Sequence, residues 1–429
     1  MSEAPLAEPD PPSLGLFEGF GVEIEYMIVD RVTLSVRPVA DRLMEAVAGA
    51  PVAEAEFGPI AWSNELALHV LEMKTNGPAA TLAGLSASFY EQVVRANDAL
   101  AELGCLLLPG GVHPWMDPDS ETRLWPHEYT DVYQAFDRIF FCRGHGWSNL
   151  QSTHLNLPFD GDREFGALHA AVRALLPLLP ALSASSPILE GRIAGALDRR
   201  MVEYRSNAGR IPSVAGVVVP EPAGSRAEYE REVLEPIYRD LAPLDSAGTL
   251  RYEWVNGRGA IARFERGTIE IRVLDPQECP AADLAVVRAV TRAVQALCER
   301  VLDGDWRIGA LSTDRLAAIL EETVRDADHA LIEDSAVLEA LGIPRPGRSR
   351  RATDIWLDLL ERSVPREWEG GGGERDAGGR DPLEVILDKG SLARRILARA
   401  GPEPGQVRLV QTYRALADSL RENRVFLDA

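Results

Sequence analysis

Lysine is nearly absent from this sequence. Lys74 and Lys389 are the only two in 429 residues, and arginine supplies almost all the other cationic side chains. Neither lysine lies in a G-x-x-x-x-G-K-[ST] frame, so a P-loop is excluded. No G-x-G-x-x-G follows a strand-like run, which removes a simple dinucleotide-binding fold. Positive charge is scarce as a whole. The formal net charge of −21 argues against nucleic acid and anionic membranes as main partners. An anionic small molecule stays open, provided that metal ions and arginines neutralise it locally. Cysteine is rare too. Cys105, Cys142, Cys279 and Cys298 are widely spaced with no C-x-x-C, the pattern of reduced, buried thiols in a cytoplasmic protein. No apolar run approaches the roughly 20 residues that span a bilayer. The opening MSEAPLAEPDPPSLG has no basic or apolar signal region, and residues 1–16 read as a Pro-rich disordered lead.

What is present is ample apolar content, 46% of the residues, enough for a sizeable core. Strand-like stretches at 17–30, 65–75, 105–111 and 150–157 and two strands within 250–275 alternate irregularly with helical ones. Helices are expected at 38–50, 81–104, 127–142, 164–184 and 281–303. Asn256-Gly257 and Arg266-Gly267 are turn signals that break the 250–275 region. The remainder is helical except for a Gly-rich flexible loop at 369–382. The expected organisation is one large domain over 17–429 with a helical C-terminal part, 281–429. The expected class is α+β, an antiparallel sheet with helices packed on its apolar face.

Three strand-like segments share an unusual design. In GVEIEYMIVD, Val22, Ile24, Tyr26 and Ile28 alternate with Gly21, Glu23, Glu25 and Met27. In LQSTHLNL, Thr153, Leu155 and Leu157 alternate with Ser152, His154 and Asn156. In TIEIRVLD, Ile269, Ile271 and Val273 alternate with Thr268, Glu270, Arg272 and Leu274. Successive side chains of a strand point to opposite faces, so each segment has one apolar face and one polar one. A single E-x-E strand is more often a solvated edge, and a lone His is more often a structural hydrogen-bonder. Together the three segments favour a face that binds a hard cation and a phosphate. Glutamates two apart on a strand lie roughly 6–7 Å apart at Cα. Long carboxylate arms at that spacing can converge on one Mg²⁺ or bridge two. Arg272, two residues beyond Glu270, can meet a phosphate bidentately. Glu65 and Glu72 are seven apart, so a regular strand puts them on opposite faces, and they share a site only if a bend or bulge intervenes. A plain ion pair is the alternative for Glu65.

The segments GVEIEY (21–26), ELALHVLEMKT (65–75), THLNL (153–157), SSPILEGR (185–192), DRRM (198–201) and IEIRVLD (269–275) occur in an order that resembles the glutamate–cysteine ligases and their carboxylate–amine ligase relatives. That resemblance implies a glutamine synthetase-like fold, with Mg²⁺ ions on the polar face of a curved antiparallel sheet. It implies ATP-dependent amide bond formation through an acyl phosphate. The leading substrates are the γ-carboxylate of glutamate and the amine of cysteine. By position in the motifs, Glu23, Glu25, Glu72 and Glu270 match metal-binding glutamates, with Glu65 at a further acidic position. His154 matches a histidine near metal and phosphate, in an H-x-N segment that ends at Asn156. Arg272 and Arg200 match arginines that meet the transferred phosphoryl group. Arg192 and Arg210, with Arg205, lie in the same Arg-rich segment and are candidates for binding phosphate or a substrate carboxylate; a surface role is the alternative for each. His113, His127 and His145 read as structural. Two other functions stay in view, a metal-dependent phosphotransferase or hydrolase on the same carboxylate face and a non-catalytic nucleotide-binding scaffold.

Overall fold

The structure is a computed structural model that describes residues 13–343, 349–370 and 373–427. Most of the expected N-terminal lead, and residues 371 and 372 of the Gly-rich stretch, lie outside these residues. An eight-stranded antiparallel sheet organises the chain. Its strands are β1 (Gly21–Asp30), β2 (Glu54–Phe57), β3 (Ile60–Asn64), β4 (Val70–Thr75), β5 (Cys105–Leu108), β6 (Thr153–Pro158), β9 (Ala260–Arg263) and β10 (Thr268–Leu274). A separate two-stranded ribbon pairs β7 (Ile188–Leu189) with β8 (Arg192–Ile193). The order across the main sheet is β2-β3-β4-β1-β6-β10-β9, with β5 also paired to β1, and the sheet does not close on itself. The α+β expectation is met.

The apolar face follows the alternation in the sequence. Val22, Ile24, Tyr26 and Ile28 join Leu155, Leu157, Ile269, Ile271 and Val273 in one core. Three long helices supply its other half: Leu85–Ala101, Gly161–Leu175 and Pro280–Leu302. Thr153, the one polar residue of β6 on this side, donates to Asp283 of the last helix at 2.9 Å. The expected helix over 164–184 is interrupted: after Leu175 a 3-10 turn carries Pro177, and a short helix resumes at Pro180. Proline supplies no N–H to continue the ladder, which accounts for the break.

The opposite face is divided. Glu23 and Glu25 of β1 lie open to the site, but Met27 and Val29, further along the same face, are buried in a second core. Leu392, Ile396, Leu409, Tyr413 and Leu416 complete that core, from helices Leu392–Ala400 and Gln406–Glu422. The C-terminal helices therefore roof one end of the polar face and confine the charged part to the other.

Candidate metal and phosphate site

The strand expected over 65–75 is in fact a strand end, a turn and a strand. β3 ends at Asn64, Glu65 follows it directly, and β4 begins only at Val70. In the β3–β4 register Ser63 faces Glu72, so Ser63, two residues before Glu65, shares a face with Glu72. The bend needed to bring Glu65 and Glu72 together is the hairpin turn. Its apolar sequence, Leu66-Ala67-Leu68, hides it from a composition-based reading.

Register brings the other groups together. Glu25 faces Glu72 across β1–β4, and Glu23 faces His154 across β1–β6. Asn156 faces Gly21 on one side and Glu270 on the other. A Cβ at residue 21 would stand 2.9 Å from Asn156 Cβ, so glycine is needed there for the strands to close. The result is one row of polar side chains crossing β3, β4, β1, β6 and β10.

Two carboxylate-rich groups form on this row. Oxygens of Glu25, Glu65 and Glu72 lie within 4.8 Å of one another, and oxygens of Glu23 and Glu72 with a His154 nitrogen do the same. Glu72 belongs to both. Like charges facing each other across a ladder repel. Burial, then the charge of Glu25, pushes the Glu65 carboxyl up to about 8. Burial and the charges of Glu23 and Glu65 push Glu72 well above the usual carboxylate range. Ser63 Oγ donates to Glu72 at 2.5 Å, and Lys74 Nζ lies 3.9 Å from the same oxygen while pairing with Glu54 at 2.6 Å.

His154 links the glutamates of β1. Its Nδ1 stands 2.9 Å from Glu23, and its Nε2 stands 2.8 Å from Ser152 Oγ, which in turn donates to Glu25 at 3.2 Å. With Ser152 donating to Glu25, both ring nitrogens are donors, the charged form of histidine. Burial opposes that charge, but the hydrogen bond to Glu23 and the charges of Glu23, Glu25 and Glu270 together outweigh it and raise the imidazole's pKa. Burial raises the Glu23 carboxyl, but the bond from His154 and the charges of His154 and Arg266 together leave it lowered. Asn156 Nδ2 donates to the other Glu23 oxygen at 3.1 Å.

At the far end, Glu270 accepts from Arg272 Nε at 2.5 Å and from Arg263 NH1 at 3.0 Å. Burial works against its charge, but Arg272, His154 and Arg263 hold the carboxyl at about 2. Arg272 sits where the pairing of β10 with β6 slips between Ile271 and Leu274. Such bulges re-aim side chains and leave backbone groups free. Here the Arg272 N–H donates to Gly259 at 2.8 Å, and its carbonyl accepts from Arg200 NH2 at 2.6 Å. Arg200 is buried and pairs with Asp275 at 3.3 Å. Asp275 also accepts from the Ser185 N–H and Ser186 Oγ at 2.9 and 2.8 Å. The SSPILEGR and DRRM motifs thus converge on the end of IEIRVLD and brace it. Asp198 caps the helix Arg199–Asn207 through the Met201 N–H and so places Arg200 in its first turn.

Other candidates lie elsewhere. Arg192 is exposed and pairs with Glu190. Arg210 donates to the Ile139 carbonyl at 2.7 Å and stacks over Phe141. Among the described residues neither hydrogen-bonds to the carboxylate row. Arg205 pairs with Glu321 at the surface. His113 is buried, with Nε2 at 2.7 Å from the Leu34 carbonyl. The sequence reading missed Ser63, Ser152, Arg263 and Asp275. Ser152 shares the polar face with His154 and Asn156, and Asp275 ends a quoted motif, so both carried a usable signal. Ser63 and Arg263 required the cross-strand register.

The donor set is carboxylate oxygens with no thiolate, which suits a hard divalent cation such as Mg²⁺. The mutual repulsion of Glu25, Glu65 and Glu72 is what such a cation relieves.

Comparisons with known proteins bear on the family and the fold. Residues 19–412 match the family described as glutamate-cysteine ligase family 2. An uncharacterized protein of Archaeoglobus fulgidus is 34% identical over 331 residues, covering 75% of this chain and 88% of that protein. A protein of Salinispora tropica that carries the provisional name glutamate–cysteine ligase 2 is 29% identical over 400 residues, 91% of this chain and 93% of its own. The crystal structure of glutamate–cysteine ligase from Francisella tularensis in complex with AMP superposes with a TM-score of 0.58 at 13% identity, over 96% of this chain and 90% of that one. At that identity the likeness establishes a shared fold.

Proposed function

Since the chain belongs to glutamate–cysteine ligase family 2, we propose that it is an ATP-dependent carboxylate–amine ligase, with the glutamate γ-carboxylate and the amine of cysteine as leading substrates. The observation that carries the reading is the convergence of Glu25, Glu65 and Glu72 within 4.8 Å on the polar face, with Glu23 and His154 beside them. Glu23, Glu25, Glu65 and Glu72 would hold Mg²⁺, with Glu270 as a further ligand, and the charged His154 would stand beside the phosphates. Bound there, Mg²⁺ would neutralise and orient the phosphates of ATP.

The chain's own groups then have defined tasks. Arg272, fixed by Glu270 and by the Asn256 carbonyl at 3.3 Å, presents a pre-oriented guanidinium to the phosphoryl group in transfer. Arg200 positions it by holding its carbonyl and Asp275. Asn156 and Ser152 orient Glu23, Glu25 and His154. In the reaction the amino-acid carboxylate takes the terminal phosphoryl group, giving an acyl phosphate and ADP. The amine attacks the acyl carbon, loses a proton and expels phosphate. Little covalent work falls on the protein, so placement and charge carry the rate.

The test is ADP release in the presence of Mg²⁺ and pairs of amino acids, with mass spectrometry of the product. The expected result is ADP only when a carboxylate and an amine are both present, with γ-glutamylcysteine as the product of the leading pair. ADP formation without amide product, or full activity in Glu23→Gln, would overturn it.

A further inference from the structure

Glu270 differs from the other carboxylates of the row. Both of its oxygens are engaged by guanidinium groups, Arg272 on Oε1 and Arg263 on Oε2. It is absent from both sets of donors that converge closely enough for one ion. Among the described residues, none of Glu23, Glu25, Glu65 and Glu72 pairs with an arginine. Their ion-pair partners are His154 and Lys74.

Arg263 lies outside the motifs that mark the rest of the site. It ends β9 directly opposite Thr268, so it shares the polar face with Thr268 and, diagonally, with Glu270. The side chain is buried. It holds two acceptors at once. NH1 donates inward to Glu270 at 3.0 Å, and NH2 donates outward to Glu265 at 2.6 Å. Glu265 lies in the turn joining β9 to β10 and is largely open to solvent, while Arg263 Nε is buried without a partner. A cation that binds Glu270 through Oε2 shares that oxygen with NH1, and the two positive charges compete for it. Displacement does not strand a buried charge, since Glu265 still holds the guanidinium and Nε is a spare donor.

We propose that Arg263 is a clasp on Glu270: it competes with the divalent cation for that carboxylate and so sets the cation concentration at which the site loads with nucleotide. This rests on the proposed reading of Glu270 as a cation ligand. Arg263 is a positioning residue here, acting through Glu270.

The test is calorimetric binding of a non-hydrolysable ATP analogue to the purified 429-residue chain across a series of Mg²⁺ concentrations. Arg263→Met is expected to lower the Mg²⁺ concentration for half-maximal binding by roughly tenfold, the worth of one charge-assisted hydrogen bond. Glu265→Leu removes the outer acceptor and is expected to raise it several-fold. Glu270→Gln should raise it steeply with or without Arg263. An Arg263→Met curve that superposes on the wild type, or one showing no nucleotide binding in a natively melting protein, overturns the clasp. An unchanged Mg²⁺ requirement in Glu270→Gln overturns the underlying placement of the cation instead. If Arg263→Met fails to fold, Arg263→Lys decides: its compact ammonium lacks the planar fork that spans Glu270 and Glu265. An unchanged Mg²⁺ requirement in that variant sinks the clasp.

Discussion

Glu72 is the side chain on which both carboxylate-rich groups depend, and that gives it a consequence distinct from its neighbours. Glu72→Gln is expected to lower ligase activity by at least roughly 100-fold with no rescue by added Mg²⁺, since removing one well-placed electrostatic group from such a site costs that much. Glu65→Gln touches one group only, so its loss should be smaller and partly recovered by Mg²⁺; equal losses in the two variants would contradict the shared placement. Glu65 also predicts a pH dependence. Its carboxyl is raised to about 8 in the folded chain, so the folded state holds the proton more firmly than the unfolded one. The stability that this proton contributes is complete below the ordinary value near 4.5 and is lost as pH rises through about 8. Buried His69 and His169, held down to about 3 chiefly by burial, give the opposite slope below their ordinary value of 6.5. The comparison therefore belongs between pH 6.5 and 8, in chelator. Urea midpoints of the wild type should fall across that range, those of Glu65→Gln should fall less, and Mg²⁺ should abolish the difference. Residue by residue, the site was legible wherever period-2 alternation exposed it: Glu23, Glu25, His154, Asn156, Glu270 and Arg272 all take part in the row. Arg192 and Arg210 were chosen by nearness in sequence to a motif, and sequence nearness does not fix the direction of a long side chain in a turn-rich segment.

Strands and helices were legible to different degrees. The helices Leu85–Ala101, Thr130–Phe140 and Pro280–Leu302 fall inside their expected spans or within a residue of them, because apolar periodicity and flanking turn residues marked them. β9 and β10 flank the Arg266-Gly267 turn as expected. The β2–β3 hairpin was invisible: Ile60-Ala61-Trp62-Ser63-Asn64 is buried along its whole length and shows no alternation. The same absence of punctuation merged Glu65 with β4. Two substitutions test how these elements are joined. Gly21→Ala should destabilise the β1–β6 pairing by roughly 1–3 kcal/mol through overpacking against Asn156, seen as a lower urea midpoint. Asp275→Asn strips the buried Arg200 of its charge partner and is expected to cost roughly 3–5 kcal/mol. In Asp275→Asn kcat should fall more than KM rises, since the bulge carrying Arg272 loses its brace; a variant with native kcat would show that the brace is structural alone.

Over the whole molecule, the C-terminal helices are tied back by a buried ion pair. Arg395 meets Glu278 at 2.5 Å and the Phe426 carbonyl at 2.7 Å, and both charged groups are almost fully removed from solvent. Arg395→Met should destabilise the protein by roughly 3–5 kcal/mol by leaving Glu278 unpaired, and adding Glu278→Leu should recover much of the loss; a double variant no more stable than the single one in urea would refute that account. The role of helices Leu392–Ala400 and Gln406–Glu422 as a roof over Met27 and Val29 was not legible in the sequence, because only the assembled sheet shows that those two residues share a face with Glu23 and Glu25. β1 is hydrogen-bonded to β4, β5 and β6, and it lies near the middle of the sheet although it is the first strand in the chain. On the ribosome the flank beyond β6 cannot form until Thr268–Leu274 has been translated, roughly 10–50 s after β1 at common elongation speeds. Through that interval the nascent polypeptide carries an oily ribbon mated along one side, the kind of unpaired strand edge that invites aggregation.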